Sequence, residues 1–292
     1  MGQKTNASFF RLSLKNSEWN QKYIEKNKEE STVYLYKNIE IYDYIDTIFK
    51  HYDFLVHSCK IEYTYDTANI FISYYELKNV KPSLDKTNTA NEKLKENTKS
   101  KSIFLIKNIV TPSLNLYIKN KTIKLKTQNL NKKFELNIIK KQNLFEYKKT
   151  LKLFKKFFKT PWQKDLIKLL FISSCEKNSA KLIANSISFC ISKYKKKHNY
   201  LLFLIKKTFT ILLKVNFVNI KGIKIAITGR FNGAPRAKKK IVKIGIVPLQ
   251  SLIAKIDYHN SVAYTSNGTF GIKVWVCNKN FNYVSTTKKI KI

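Results

Sequence analysis

Between Lys4 and Lys221 this 292-residue chain contains no glycine, and over its whole length it has three arginines, Arg11, Arg230 and Arg236. Glycine supplies backbone freedom without steric cost, so close approach of backbone to another group is concentrated outside that span. Acidic residues are also scarce, Asp+Glu 19 against Lys+Arg 56. An enzyme working through metal ions or acid–base pairs needs clustered carboxylates. The one candidate cluster is Glu40, Asp43 and Asp46, at i, i+3 and i+6 of a helix, a spacing that equally makes a solvated face beside lysines. The expectation is therefore that the chain is not an enzyme. Cys59, Cys175, Cys190 and Cys277 form no C-x-x-C pair, and His51, His57, His198 and His259 lack metal spacing. No zinc and no cofactor are expected, and the thiols read as small buried hydrophobes in a reducing compartment. No apolar run reaches the length of a membrane span, since Leu166–Ile172 and Leu201–Ile205 are short and bounded by lysine. The N-terminus shows neither a secretory signal nor an Arg-rich presequence. Met1-Gly2 has the start of a myristoylation signal, but Asn6 stands where Ser or Thr is required.

What is present is lysine and apolar residues. The 43% apolar fraction suffices for real cores, and the length suits two domains with tails or insertions. The net charge of +37 opposes compaction through self-repulsion, which a polyanion relieves. Nucleic acid is the expected partner; a membrane surface fits less well, because the basic residues are spread through the chain and not gathered beside one apolar face. Lysine suits phosphate and arginine suits base edges, so the bulk charge implies backbone neutralisation and steep salt dependence.

Along the chain, residues 1–32 read as a basic arm. Ile41, Ile45, Ile48, Phe49 and Tyr52 predict a helix over 35–52, and alternation about Asp66–Thr67 predicts a β-hairpin. Residues 77–100 are almost devoid of apolar side chains and read as a loop or insertion, extended in the domain assignment to about 77–130. Short strands are expected at 122–125 and 134–139, and a helix over 144–158 that Pro161 ends. Helices are expected at 177–197 and 199–215. After Lys221 the period becomes two, with strands at 223–227, 241–246, 252–258, 262–264 and 272–276. The fold class is α+β: a basic arm (1–32), an N-terminal domain (33–197) and a C-terminal domain (198–292) in which two helices pack on a small, mainly antiparallel sheet.

Six of the seven glycines and two of the three arginines lie between Gly222 and Gly271. There the first strand ends at Thr228-Gly229-Arg230-Phe231-Asn232-Gly233. Glycines flanking an arginine in a turn suit approach to a phosphate, with the guanidinium gripping two oxygens; an ordinary turn with a solvated arginine has the same pattern. Arg236 and Lys238-Lys239-Lys240 tilt the reading towards phosphate.

This block resembles the C-terminal domain of the family of the third protein of the small ribosomal subunit. The residues that carry the resemblance are Gly222-Ile223-Lys224, Gly229-Arg230, Gly233-Ala234, Gly245, Val247-Pro248-Leu249, Leu252, Ala254, Ile256-Asp257-Tyr258, Ala263, Thr265, Gly268, Gly271 and Lys273-Val274-Trp275, without a gap. The N-terminus is similar too, Gly2-Gln3-Lys4-Thr5-Asn6 and Phe10-Arg11-Leu12, with Ala7 and Phe9 departing from the family's proline and glycine. Trp19–Tyr23 and Ala180–Ile187 add weaker likenesses. The resemblance implies an N-terminal KH domain of the prokaryotic type followed by the α+β domain. It implies a non-catalytic place in the head of the small subunit, with ribosomal RNA, mRNA at its entrance and neighbouring head proteins as partners.

A KH domain grips RNA through a G-x-x-G loop, and no glycine is available for one here, so the domain is expected to act as a scaffold. The family's basic helix face at the mRNA entrance maps to Lys193 with Lys195, Lys196 and Lys197, or to Lys206 with Lys207. With Gln3, Lys4, Arg11, Arg230, Arg236, Lys238, Lys239 and Lys240, these are the candidate RNA-binding residues. A free-standing basic RNA-binding protein or RNA chaperone is the rival reading. The Lys/Asn/Ile/Phe/Tyr bias fits AT-rich coding, and the chain starts where the family starts. Together these imply a mitochondrial, organelle-encoded form, with a plastid or an AT-rich bacterium as alternatives.

Overall fold

The structure, a computed structural model, describes residues 5–12, 19–77, 107–118, 121–138, 141–157, 160–193, 198–216 and 218–279. The first helix, α1 (Glu30–His51), buries Ile41, Ile45 and Phe49 on one face, the three- and four-residue spacing expected of an amphipathic helix. Asp53, in left-handed backbone at φ 60°, turns the chain into β2 (Phe54–Tyr63), which pairs antiparallel with β3 (Thr67–Glu76). The second helix, α2 (107–117), leads to β4 (Thr122–Asn129), which runs parallel to β3. A two-residue strand, β1 (Gln21–Lys22), completes the sheet in the order β1-β2-β3-β4. One face of it, with Ile61, Ile70 and Ile72, packs on Ile41, Ile45, Val110 and Leu114. The fold is consistent with the KH-like domain implied by the resemblance. Residues 107–117 and 122–129 therefore belong to elements, against the expected insertion to about 130; the expected loop at 77–100 lies outside the described residues apart from Leu77.

The chain then enters a second core. Of the strand expected at 134–139, residues 134–138 are instead part of a helix, α3 (Leu130–Ile138): Leu130 and Phe134, one turn apart, are both buried, and Asn129 Oδ1 accepts the Asn131 N–H at 2.9 Å. After α4 (Lys141–Phe154), Pro161 does not merely stop a helix but opens one. It is the first residue of α5 (Pro161–Cys175), where the missing N–H costs nothing, and Gln163 Oε1 accepts the Thr160 N–H at 3.1 Å. Two further helices, α6 (Ala180–Lys193) and α7 (His198–Leu212), precede the second sheet.

That sheet has the order β6-β5-β8-β7 and is antiparallel throughout. Its strands are β5 (Ile220–Gly229), β6 (Lys238–Gly245), β7 (Ile256–Thr265) and β8 (Gly268–Asn278). Strands expected at 252–258 and 262–264 are the single strand β7, and Leu252 and Ile253 sit exposed in the loop before it. Ile223, Ile225, Ile227, Ile272, Val274 and Val276 meet Leu182, Ile187, Leu204, Ile205 and Phe209 in one core. Leu130, Phe134, Leu170 and Ile183 join it, so the core changes near residue 130, ahead of the expected boundary at 197/198. The reason is that α6 packs on β7 and β8, and α5 on α6 and α7.

The two cores are tied by polar contacts. Lys181 Nζ lies 3.0 Å from Asp46 Oδ1. His57 Nε2 donates to the Lys177 carbonyl at 3.1 Å while its Nδ1 accepts from the Ser73 hydroxyl at 3.0 Å. Burial holds this imidazole below its usual range, in keeping with a neutral ring.

Candidate nucleic-acid interface

Helix α7 buries Leu201, Leu204, Ile205, Phe209 and Leu212 and turns Asn199, Phe203, Lys206, Lys207 and Thr210 outward. Those exposed positions follow helical spacing, so Lys206 and Lys207 share one face with a half-exposed aromatic ring. Lys207 Nζ stands 5.6 Å from the Phe203 ring centroid. The helix lies beside β6, the edge strand, where the Lys240 ammonium touches the Asn199 side chain and sits 4.6 Å above Phe231. Lys238 and Lys239 are exposed next to it.

The Gly229–Gly233 turn closes the same end of the sheet. Asn232 and Gly233 take positive φ, 54° and 79°, and the Asn232 N–H donates to His198 Nδ1 at 3.2 Å. Gly229 has a packing reason for being glycine: a Cβ there would come within 2.3 Å of the Phe270 ring. Arg230 is exposed, and its Nε donates to the Ala234 carbonyl at 2.8 Å. Arg236 is exposed in the following turn. Thus Lys206, Lys207, Arg230, Arg236, Lys238, Lys239 and Lys240 stand on α7, β6 and the turn that joins β5 to β6.

Other expected residues are placed differently. Lys193 ends α6 with its ammonium 4.2 Å from the Phe189 ring, in a hollow shared with Trp162 and Asp165 of α5 rather than on the α7 face. Arg11 is turned inward, only 7% exposed. Its guanidinium donates to the carbonyls of Ala7, Leu249 and Ser251, each at 2.7 Å. Those bonds clasp the N-terminal arm to the loop before β7, so the Arg11 guanidinium is engaged by the chain's own carbonyls and turned away from the exposed lysines of α7 and β6. Gln3, Lys4, Lys195, Lys196 and Lys197 lie outside the described residues. Two of the three carboxylates of that α1 cluster are engaged as well: Glu40 accepts from the Tyr117 hydroxyl, which with Tyr36 lowers its pKa, and Asp46 meets Lys181. Among the described residues no three His, Cys, Asp or Glu side chains come together as metal ligands.

Sheet register reveals residues that sequence reading missed. Lys243, Lys224, Trp275 and Tyr258 are Cα partners in one row across the four strands, on the face opposite the helices. The Lys224 ammonium is 5.1 Å from the Trp275 ring, and the Tyr258 and Trp275 centroids are 5.3 Å apart. The next rows on that face add Lys273 and Lys239, and β5 to β8 place no carboxylate there. Alternate positions within each strand were the available signal, but which strands are neighbours is set by topology. A flat face with lysines and rings suits phosphates and bases.

The sequence profile described as "Ribosomal protein S3, C-terminal domain" matches residues 206–276, from Lys206 through nearly all of β8. Residues 206–276 of this chain thus match the C-terminal domain of the ribosomal protein S3 family. Three relatives are small ribosomal subunit proteins. The uS3 protein of Karelsulcia muelleri is 52% identical over 59 residues, 20% of this chain and 26% of that protein. The uS3 protein of Neorickettsia sennetsu is 35% identical over 99 residues, 34% and 44% of the two chains. The uS3c protein of Euglena longa is 35% identical over 153 residues, 52% and 64%. The chain thus spans less than two thirds of each of these relatives. The matched segment includes Lys206, Lys207, the Gly229–Gly233 turn and the whole lysine-bearing strand β6.

Proposed function

We propose that this chain is a non-catalytic structural constituent of the small ribosomal subunit, binding ribosomal RNA in the head and lining the mRNA entrance. The observation that carries the reading is the continuity of Lys206–Lys207 with the lysines of β6 inside the family's domain. Lys206 and Lys207, on one exposed helix face beside Phe203, are the better assignment for the mRNA-facing cluster than Lys193, which packs towards α5. The Gly229–Gly233 turn, Arg236 and Lys238–Lys240 are assigned to ribosomal RNA. Lysine dominance fits neutralisation of phosphates over reading of bases. The composition supports a mitochondrial ribosome, and the plastid and bacterial relatives support an organelle or a bacterium in general.

Sucrose-gradient sedimentation at moderate salt tests the reading. The chain should travel with the small subunit; redistribution to light fractions would favour a free RNA chaperone instead. The paired variant Lys206→Glu, Lys207→Glu should remain on the subunit but reduce crosslinking to mRNA about tenfold. Equal crosslinking would remove α7 from the mRNA path.

A further inference from the structure

The outer face of the N-terminal sheet is covered along only half its length. Leu55 and Tyr75 are sealed into the second core, whereas Lys60, Phe71 and Lys126 look into an open cleft of about 1410 Å³ between the two domains. These three side chains form one row, since Phe71 on β3 is the Cα partner of Lys60 on β2 and of Lys126 on β4. Two strand spacings of about 4.8 Å set the lysine backbones roughly 10 Å apart, with the ring between them. Lys126 Nζ is 5.2 Å from the Phe71 centroid, so the ring presents a face to a cation. The opposite wall carries Lys177 and Lys255.

The charge in the cleft is one-sided. Seven lysines line it against three carboxylates, and all three carboxylates are engaged. Glu62 pairs with Lys22 at 3.0 Å, Glu176 with Lys133 at 2.7 Å, and Asp257 accepts the Ala180 N–H at 2.7 Å. A flexible polyanion with flat groups at regular intervals complements such a site: the phosphates meet ammonium groups and a base replaces the ammonium over the ring. The ring requires an unstacked base, which a duplex does not offer.

We propose that this cleft binds an unpaired stretch of RNA, with Phe71 stacking one base and Lys60 and Lys126 meeting the phosphates on either side. The site is distinct from α7 and β6, and it takes the place of the glycine-loop clamp that the N-terminal domain has no residues to build. It rests on the reading that the chain binds RNA.

The test uses the full chain and a short oligoadenylate carrying one central 4-thiouridine. Photocrosslinks should map to Phe71 and its neighbours on β3 and β4. Phe71→Leu, which keeps apolar bulk and loses the π face, should weaken binding roughly tenfold with an unchanged salt slope, and Phe71→Trp should restore it. Lys60→Ala with Lys126→Ala should lower the salt slope by about 1.4, at about 0.7 per phosphate on a single strand. Binding with crosslinks confined to α7 and the second sheet, or a Phe71→Leu affinity within twofold of the parent, overturns the cleft and leaves the ribosomal reading standing. Absence of any RNA binding overturns both. Were the Phe71 variants to fail to fold, the crosslink map of the parent chain decides alone.

Discussion

The two four-stranded sheets solve the same backbone problems with different residues. In the second sheet Gly222 and Gly245 are register partners at the point where β6 gives way to the following loop. A Cβ at Gly222 would meet the Ile246 carbonyl oxygen at 2.4 Å, and Gly245 holds φ 71° with the Lys221 carbonyl 2.5 Å from its hypothetical Cβ. Among the described residues of the glycine-free region the left-handed turns fall to Asp53 before β2 and Asn178 before α6, at φ 60° and 53°. Asp and Asn tolerate that conformation better than other side chains, at a cost of about 1 kcal/mol relative to glycine. Left-handed backbone therefore does not by itself demand glycine in this chain. Contact with another backbone does, and such contact is concentrated in the family's domain.

Gly222→Ala should show the largest effect. Carbonyl and amide atoms of Ile246 cannot step aside as a side-chain tip would, so a loss of about 3 kcal/mol is expected, read as a lowered urea midpoint. A midpoint within error of the parent would mean that the close approach is not rigid. Arg11→Ala comes next, at about 2 kcal/mol, because it strips charged donors from three carbonyls beneath the N-terminal arm. Limited proteolysis should then cut within the first dozen residues, whereas protection equal to the parent would separate the clasp from arm order.

The third test concerns the seam between the domains. Burial, then Lys181, pushes the His259 imidazole down to about 4, against the opposing pull of Asp46, with Lys50 adding to the depression. Its unfolded pKa is about 6.5, so the unfolded chain binds a proton that the folded one refuses. The resulting stability is complete above about pH 6.5 and is lost as pH falls towards 4. Urea midpoints should decline from pH 7 to pH 5, and less steeply in His259→Gln. An unchanged slope would assign the decline to other groups, His57 first. Smallest of all is Asp53→Gly. Relief of left-handed strain is offset by added freedom in the unfolded chain, for a net change within about 0.5 kcal/mol. A large loss would show that the Asp53 side chain, and not only its backbone, matters.

Much of this was legible in the sequence where period and location agreed. Helix α1, the β2–β3 hairpin, α6 and α7, and the alternation of β5 and β8 follow from side-chain spacing alone. The residues at 134–139 misled because a six-residue stretch cannot show a helical period, and Leu130, which fixes that period, lies before it. Pro161 is read equally well as a stop or a start, and the sequence does not choose. Arg11 is hard to read for a different reason: arginine signals a planar cluster of acceptors, and here two of those acceptors are carbonyls 238 and 240 residues away in the same chain. The row Lys243–Lys224–Trp275–Tyr258 was invisible because β8 is inserted between β5 and β7, an order that only topology sets.

The Arg11 clasp also imposes a schedule. Chains are made from the N-terminus, so Arg11 emerges long before Leu249 and Ser251 exist to receive it. Its side chain must wait for most of the molecule to be synthesised, and joining the ends closes a loop of more than two hundred residues, one of the slowest kinds of contact to form. A segment made early is therefore among the last to settle. Its docking can serve as a mark that synthesis has passed residue 251, because a product truncated before residue 249 would leave the Arg11 side chain without those two acceptors.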